Sequence, residues 1–222
     1  MSAPIAITMA DSSRVQFSLN LQKFYPEDIK ISWYREDQSG KYGLSAVETI
    51  RARDEDLTYE VTSVVQISKY LFRDPEMEII VEWEHESTET SERRSLSVRD
   101  FPWSPHVGSI NVPELEDGKS ATLTCDIYRY FPDLLSVSWF TKTDGDVTEL
   151  PRTSSNADVI YKFSNKEKKQ ADNTYSCEAS VTFSPIISSH QGSEILCRVK
   201  HPSEEHPIER STGPLHIAIE KN

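Results

Sequence analysis

Cysteines are the residues with the clearest covalent chemistry in this sequence, which contains three: Cys125, Cys177 and Cys197. Three thiols allow at most one intrachain disulfide and leave one cysteine over. Cys177 alternates with Tyr175 and Ala179, which places it on the inward side of a predicted strand and favours a small buried side chain. The alternative is an interchain disulfide or a reactive thiol, which would require an exposed sulfur.

Histidines and acidic residues raise a metal hypothesis at His201-Pro-Ser-Glu-Glu-His206, where two imidazoles and two carboxylates lie close together. Their spacing matches no established tetrahedral site, so we predict no metal ligands. No nucleophile elbow, phosphate-binding glycine loop or pair of catalytic carboxylates stands out, and the seven glycines form no cluster. We therefore predict a non-enzymatic protein with no catalytic residues and no cofactor.

The composition is that of an acidic globular protein, with 36% hydrophobic residues, 27% charged residues and a formal net charge of −12. This balance argues against nucleic acid as a partner, because phosphate binding needs a basic face. The longest apolar runs, such as Ile79-Ile80-Val81, fall far short of the roughly 20 residues of a membrane span. The first residues do not resemble a secretory signal, so we expect any signal peptide to lie outside this sequence if the protein belongs outside the cell.

Two runs of like charge stand out. They are Glu82, Glu84, Glu86 and Glu89 in the first half, and Lys162, Lys166, Lys168 and Lys169 in the second. The glutamates predict a solvated sheet face, with an acidic docking face as the alternative. For the lysines we expect a solvated loop, with contact to an acidic partner, including another copy of the chain, as the alternative.

Alternation of apolar and polar residues predicts β-strands along most of the chain. Val15, Phe17 and Leu19 share one parity, with polar residues between them, and the segment 175–183 repeats the pattern. No long stretch carries a helical period. Many short strands separated by turn signals predict an all-β sandwich or barrel.

The chain also contains an internal repeat. Phe24-Tyr25-Pro26 and Ile31-Ser32-Trp33 recur as Tyr130-Phe131-Pro132 and Val137-Ser138-Trp139, at an offset of 106 residues. Farther along, Val81-x-Trp83-x-His85 recurs as Cys197-x-Val199-x-His201, at an offset of 116. The second copy therefore has ten extra residues, which the sequence places between Thr143 and Asn173. Two copies of this size indicate a duplicated domain rather than a solenoid.

Residues 101–105, Phe-Pro-Trp-Ser-Pro, form the predicted linker between a first domain at 1–100 and a second at 106–222. Pro102 and Pro105 restrict the backbone and predict a stiff joint that sets the interdomain angle. We expect Phe101 and Trp103 to pack against the ends of the two domains, because large aromatics are mostly buried. The alternative is an exposed aromatic contact.

Each copy resembles an immunoglobulin domain of the constant type, the C1-set, and the resemblance covers nearly the whole chain. The family pattern is a cysteine, an aromatic-Pro turn, a core tryptophan and a second cysteine followed by x-Val-x-His. In the second copy these are Cys125, Phe131-Pro132, Trp139 and Cys197-x-Val199-x-His201. The resemblance implies two tandem immunoglobulin-like β-sandwiches, with Cys125 and Cys197 joined by a disulfide on which Trp139 packs. Such a bond implies an oxidising, extracellular compartment.

The first copy departs from this pattern, since Leu19 and Val81 occupy the two cysteine positions while Trp33 remains. We expect Leu19 and Val81 to be buried in contact with Trp33, so that packing alone holds this domain together. A second departure is Ile79 and Ile195, which stand where antibody-type domains have a corner tyrosine. That shifts the likeness toward signal-regulatory proteins, MHC-linked proteins and relatives of tapasin.

The resemblance implies a non-enzymatic extracellular segment of an immune-type or adhesion membrane protein, with a cell-surface or immune protein as its partner. A variable-type domain before it and a membrane anchor after it would lie outside this sequence. The alternative is a structural stalk or a chain-pairing module like an antibody constant region. A large apolar patch on one sheet would favour pairing, and wholly polar outer surfaces would favour a stalk. The sequence leaves both a monomer and an oligomer open.

Overall fold

The alternating segments form β-strands in the computed structural model of the chain, which describes residues 5–74, 76–86, 91–151 and 160–219. The chain divides into two compact units, Met1–Pro102 and Trp103–Asn222. In each unit, the described residues form two four-stranded sheets whose neighbouring strands are antiparallel. We call them sheets 1A and 1B in unit 1 and sheets 2A and 2B in unit 2. The predicted all-β class is confirmed.

Unit 1 pairs its strands in the order β1-β2-β6-β5 in sheet 1A and β4-β3-β7-β8 in sheet 1B. The strands are β1 (Ile5–Met9), β2 (Arg14–Phe24), β3 (Ile29–Asp37), β4 (Gly40–Leu44), β5 (Glu48–Arg53), β6 (Tyr59–Ser68), β7 (Glu78–His85) and β8 (Glu92–Ser97). Short 3₁₀ helices at Lys69–Arg73 and Val98–Asp100 follow β6 and β8. Val15, Phe17, Leu19 and Leu21 alternate along β2 with more exposed polar residues, and all four are buried, as their period of two predicts.

Unit 2 repeats this arrangement, with the order β14-β15-β11-β9 in sheet 2A and β13-β12-β16-β17 in sheet 2B. Its strands are β9 (His106–Asn111), β10 (Leu115–Glu116), β11 (Ala121–Tyr130), β12 (Ser136–Thr143), β13 (Asp146–Glu149), β14 (Lys162–Lys169), β15 (Tyr175–Phe183), β16 (Glu194–Lys200), β17 (Ile208–Pro214) and β18 (Ile217–Ala218). The short helix α1 (Ile187–His190) precedes β16, and β10 and β18 form a small parallel pair. Within the described part of the chain, no helix has the length and hydropathy that a membrane crossing requires.

The strand registers locate the ten extra residues of unit 2. Tyr34 pairs with Gly43 in sheet 1B, and Phe140 pairs with Glu149 in sheet 2B, so the offset is still 106 at that point. In sheet 1A, Arg51 pairs with Val61, and in sheet 2A the equivalent pair is Glu167 and Cys177. The offset between equivalent residues of the two units is 116 at this point. The insertion therefore lies between β13 and β14, in a stretch whose residues 152–159 are outside the described part.

The aromatic residues of the predicted linker pack within separate units. The Phe101 ring is buried in unit 1, with its centroid 4.8 Å from that of Phe72. In unit 2, the Trp103 ring lies 5.6 Å from that of Phe131, whose N–H donates to the Trp103 carbonyl at 3.1 Å. The boundary between the units thus falls inside the predicted 101–105 segment.

Candidate interaction surfaces

The cysteines predicted to form a disulfide lie side by side in the core of unit 2. Cys125 on β11 and Cys197 on β16 are fully buried, and their thiols are hydrogen-bonded to each other. Trp139 is also buried and lies opposite Cys197 in the register of β12 and β16. The hydrogen bond with Cys125, together with burial, raises the pKa of the Cys197 thiol. All three cysteines of the chain are thiols in this structure, so the disulfide remains a prediction.

Cys177 lies on the inward side of β15, as its strand parity predicts. Its side chain is 3% exposed, and it pairs with Ile127 of β11. Burial raises the pKa of its thiol to about 11, so very little thiolate forms at neutral pH. These features describe a core side chain rather than a reactive one.

Unit 1 places apolar residues and one polar contact where unit 2 has its cysteine pair. Leu19, Val81 and Trp33 are buried, and Trp33 lies opposite Val81 just as Trp139 lies opposite Cys197. The Trp33 Nε1–H donates to the Ser63 hydroxyl at 3.0 Å, which joins sheets 1A and 1B. In unit 2, Ala179 occupies the position equivalent to Ser63 of unit 1. Trp139 Nε1 is therefore a buried donor with no hydrogen-bond partner among the described residues. The sequence does not indicate this contact by itself, although the repeat aligns Ser63 with Ala179.

Two histidines fix the aromatic-Pro turns, and one of them, His201, belongs to the segment considered for metal binding. Nε2 of His85 donates to the Pro26 carbonyl, and Nε2 of His201 donates to the Pro132 carbonyl, both at 2.8 Å. Nδ1 of His201 lies 2.7 Å from the Ser203 hydroxyl, so both ring nitrogens are engaged. Among the described residues, no group of three or more histidine, cysteine, aspartate or glutamate side chains is arranged to hold a metal ion.

A third buried histidine, His190, was not singled out by the sequence. Its Nδ1 accepts the Ile186 N–H at 3.0 Å, and its Nε2 lies 3.0 Å from the Tyr161 hydroxyl. Burial lowers the pKa of both His190 and His201, which keeps the two imidazoles neutral. These contacts tie α1 to the segment that enters β14.

The outer face of sheet 1B carries the glutamate run, and basic side chains of the same sheet form ion pairs with two of its glutamates. Its ion pairs include Lys30–Glu84 at 3.8 Å, which joins the adjacent strands β3 and β7. Lys41–Glu82 at 2.8 Å and Glu36–Arg93 at 3.5 Å each reach across an intervening strand. Glu86 is exposed, and Glu89 lies outside the described residues. The face is therefore the predicted solvated one, and its mixed charges do not fit the alternative of an acidic docking face.

Sheet 2B has a similar outer face. Lys142 pairs with Glu194 at 3.2 Å, and Arg198 pairs with Glu209 at 2.8 Å. The Arg198 guanidinium also lies 4.2 Å from the centre of the Phe140 ring. Both B sheets thus present several charges that already have partners within their own sheet.

Sheet 1A has a different outer surface, which we call the neutral face. Its central residues are Gln16, Ser18, Asn20, Ile50, Thr62, Val64 and Gln66, and the charged residues Arg14, Glu48 and Glu60 lie at its rim. Asn20 Nδ2 donates to the Thr62 hydroxyl at 2.8 Å, and Gln66 Nε2 donates to Gln16 Oε1 at 3.1 Å. Ile50 is 53% exposed beside this network, and Val47 is 58% exposed. Uncharged polar groups and exposed aliphatic groups therefore share one sheet surface.

The equivalent row of sheet 2A is charged. Ile50, Thr62 and Asn20 lie in one row across sheet 1A, and the matching row in sheet 2A is Lys166, Glu178 and Asp126. Lys166 pairs with Glu178 at 2.7 Å. The expectation of a loop for the lysine run is wrong, because residues 162–169 form β14 and pair with β15 along their full length.

Comparison with protein families gives a match in each unit. The model of the immunoglobulin C1-set domain matches residues 20–77 and residues 107–204. A comparison with curated proteins gives no match. The first matched range covers β3 to β6 and the end of β2, which includes part of the neutral face. The second covers β10 to β16 and nearly all of β9, which includes the charged counterpart of that face.

Proposed function

Because the chain belongs to the immunoglobulin C1-set family, we propose that it is a non-enzymatic extracellular segment that recognises a protein partner for an immune-type or adhesion membrane protein. Domains of this family are typically extracellular and commonly mediate protein–protein interactions. The adjacent thiols of Cys125 and Cys197 support an oxidising compartment, where they would form a disulfide.

The neutral face is the observation that carries this proposal. The centres of protein interfaces are depleted in charged residues, whereas 27% of the residues in this chain are charged. Ile50 is exposed, and the amides of Asn20 and Gln66 are already held by hydrogen bonds. A partner would therefore meet a surface whose side chains need little ordering, which lowers the entropic cost of binding.

A structural stalk is the second candidate, and the B sheets favour it. Several of their outer charges form ion pairs within the same sheet, as Lys41 does with Glu82 and Arg198 does with Glu209. Such surfaces stay solvated and offer few open contacts. In this alternative the two units space a recognition domain from the membrane.

Cell staining distinguishes recognition from a stalk. The biotinylated chain, assembled on fluorescent streptavidin, is applied to a panel of leukocyte and epithelial lines and measured by flow cytometry. We expect saturable staining of at least one line, which excess monomer competes and which protease treatment of the cells removes. Absence of staining across the panel would favour the stalk. Sedimentation of the free chain as a dimer through the neutral face would favour a pairing module.

A further inference from the structure

Two aspartates in the chain are followed directly by glycine, at Asp117-Gly118 and Asp144-Gly145. In such a dipeptide the glycine backbone nitrogen can attack the carboxyl carbon of the aspartate, because glycine has no side chain to hinder the approach. The attack requires that both groups are free to reach each other. Both dipeptides are exposed, so the contacts around each one decide whether it reacts.

Asp144 and Gly145 form the loop of the hairpin between β12 and β13. Thr143 pairs with Asp146 across this loop, and the φ angles of Asp144 and Gly145 are 52° and 93°, as in a type I′ turn. A Cβ atom placed on Gly145 would meet no described atom within 4 Å beyond its chain neighbours. Neither the Asp144 carboxylate nor the Gly145 N–H is hydrogen-bonded to another described residue. Both reacting groups are therefore free.

The other dipeptide is held by hydrogen bonds on both reacting groups. Asp117 Oδ1 accepts the Ile187 N–H at 2.9 Å. The Gly118 N–H donates to the Pro185 carbonyl at 2.7 Å, and the Asp117 N–H donates to the Ala218 carbonyl at 3.0 Å. The attack would require the carboxylate and the nitrogen to give up these bonds together. Asp117-Gly118 is therefore a natural control within the same chain.

The equivalent hairpin of unit 1 contains no such dipeptide. Gln38 and Ser39 form its two-residue loop, where unit 2 has Asp144 and Gly145. Asp37 precedes this loop, but its neighbour is a glutamine, and its carboxylate accepts the Ser39 N–H at 2.8 Å. The free Asp-Gly loop thus distinguishes unit 2 from unit 1.

We propose that Asp144 is a covalent modification site, which converts to isoaspartate in the folded protein. The Gly145 nitrogen bonds to Cγ of Asp144, and the N–H proton leaves with the carboxyl O–H group as one water, which gives a five-membered succinimide. One water then opens the ring. Cleavage of the bond between Cγ and nitrogen restores aspartate. Cleavage of the bond between the main-chain carbonyl carbon and nitrogen leaves the chain linked through Cγ, with a new main-chain carboxylate and unchanged mass.

The product adds one backbone carbon to a two-residue loop, and loop length sets the register of a hairpin. The pairs Thr143–Asp146 and Lys142–Val147, which lie next to the loop, should be lost first. All four residues of β13 are exposed, and it is an edge strand that pairs with β12. This hairpin belongs to sheet 2B, so the proposal does not depend on what the neutral face binds.

Peptide mapping with electron-transfer fragmentation, which distinguishes isoaspartate from aspartate, tests the proposal on the full chain after about four weeks at 37 °C and pH 7.4. We expect at least fivefold more isoaspartate at residue 144 than at residue 117. A sample kept unfolded in urea is the matched control. There the two sites should agree within twofold, because the hydrogen bonds that hold Asp117 and Gly118 are lost.

Hydrogen exchange tests the structural consequence. The β13 amides should exchange at least fivefold faster in the fraction modified at residue 144 than in fresh chain. The aged Asp144→Glu variant should keep the exchange of its own fresh sample, because its longer side chain cannot close the five-membered ring.

Three outcomes would overturn the proposal. The first is the absence of isoaspartate at residue 144 in the folded chain, which would show that the turn prevents the attack. The second is an equal amount at residues 144 and 117 in the folded chain, which would show that the contacts of Asp117 give no protection. The third is a fivefold difference that persists in urea, which would assign it to neighbouring sequence rather than to the fold.

Discussion

At the scale of single residues, two equivalent tryptophans differ by one hydrogen bond. Trp33 donates to Ser63, whereas Trp139 has Ala179 at that place and its Nε1 has no acceptor among the described residues. A buried donor without an acceptor costs about 1–3 kcal/mol. Unit 1, which lacks the cysteine pair, therefore has a polar contact between its sheets that unit 2 does not have.

Ser63→Ala is expected to lower the unfolding free energy of unit 1 by about 1–3 kcal/mol, because the Trp33 donor stays buried without an acceptor. Urea denaturation measures the change, and hydrogen exchange on β3 assigns it to unit 1. The reciprocal Ala179→Ser variant should stabilise unit 2 by about 1 kcal/mol, since it gives Trp139 an acceptor. Unchanged stability in both variants would show that this hydrogen bond has no net effect.

Protonation of buried histidines should weaken unit 2 in mild acid. The pKa of His201 is lower in the folded chain than in the unfolded chain, because burial disfavours the cation. The unfolded chain therefore binds the proton first as pH falls below about 6.5, and stability that is present above that pH is lost. His190 acts in the same direction. We expect the denaturation midpoint of unit 2 to fall between pH 7.5 and 5. His201→Gln should reduce this slope, and an unaltered slope would refute the assignment.

At the scale of elements, the alternation of apolar and polar residues predicts most of the strands. The remaining strand is recognised only from the neighbour with which it pairs. The buried residues of β2 follow their alternation, and Cys177 lies inward as its parity indicates. The run 162–169 is polar, with the intrinsic composition of a loop, yet it pairs with β15 along eight residues. Pairing with a neighbour overrides local composition in sheets. The sequence of this segment alone could not reveal its partner.

Leu19→Cys with Val81→Cys tests the equivalence of the two cores, because these residues occupy the register of Cys125 and Cys197. The variant is expected to form a second disulfide and to stabilise unit 1 by up to about 4 kcal/mol in the chain-entropy model. Mass analysis without reduction should give one bond and one free thiol, Cys177, in the parent chain and two bonds in the variant. A bond to Cys177, or a variant that stays reduced in oxidising buffer, would contradict the alignment.

At the scale of the whole molecule, one fold occurs twice with different outer surfaces. The sequence predicts the duplication, because Trp33 and Trp139 recur at an offset of 106 residues. It does not predict the surfaces, because a row such as Asn20, Thr62 and Ile50 brings together three strands that are distant in sequence. Their register is needed to see that one sheet is neutral and its counterpart charged. Net charge gives no such distinction, since both halves are acidic.

The most direct test of the account transfers the charged row of unit 2 onto the neutral face. The graft is Asn20→Asp, Ile50→Lys and Thr62→Glu, a combination that sheet 2A already accommodates as Asp126, Lys166 and Glu178. Lys30→Ser on sheet 1B is the control, because it changes the net charge by the same −1 and copies Ser136 of unit 2. Staining of cells by the streptavidin-assembled chain should fall at least tenfold with the graft and remain within twofold with the control. Equal staining by the parent chain and the graft would contradict recognition through the neutral face.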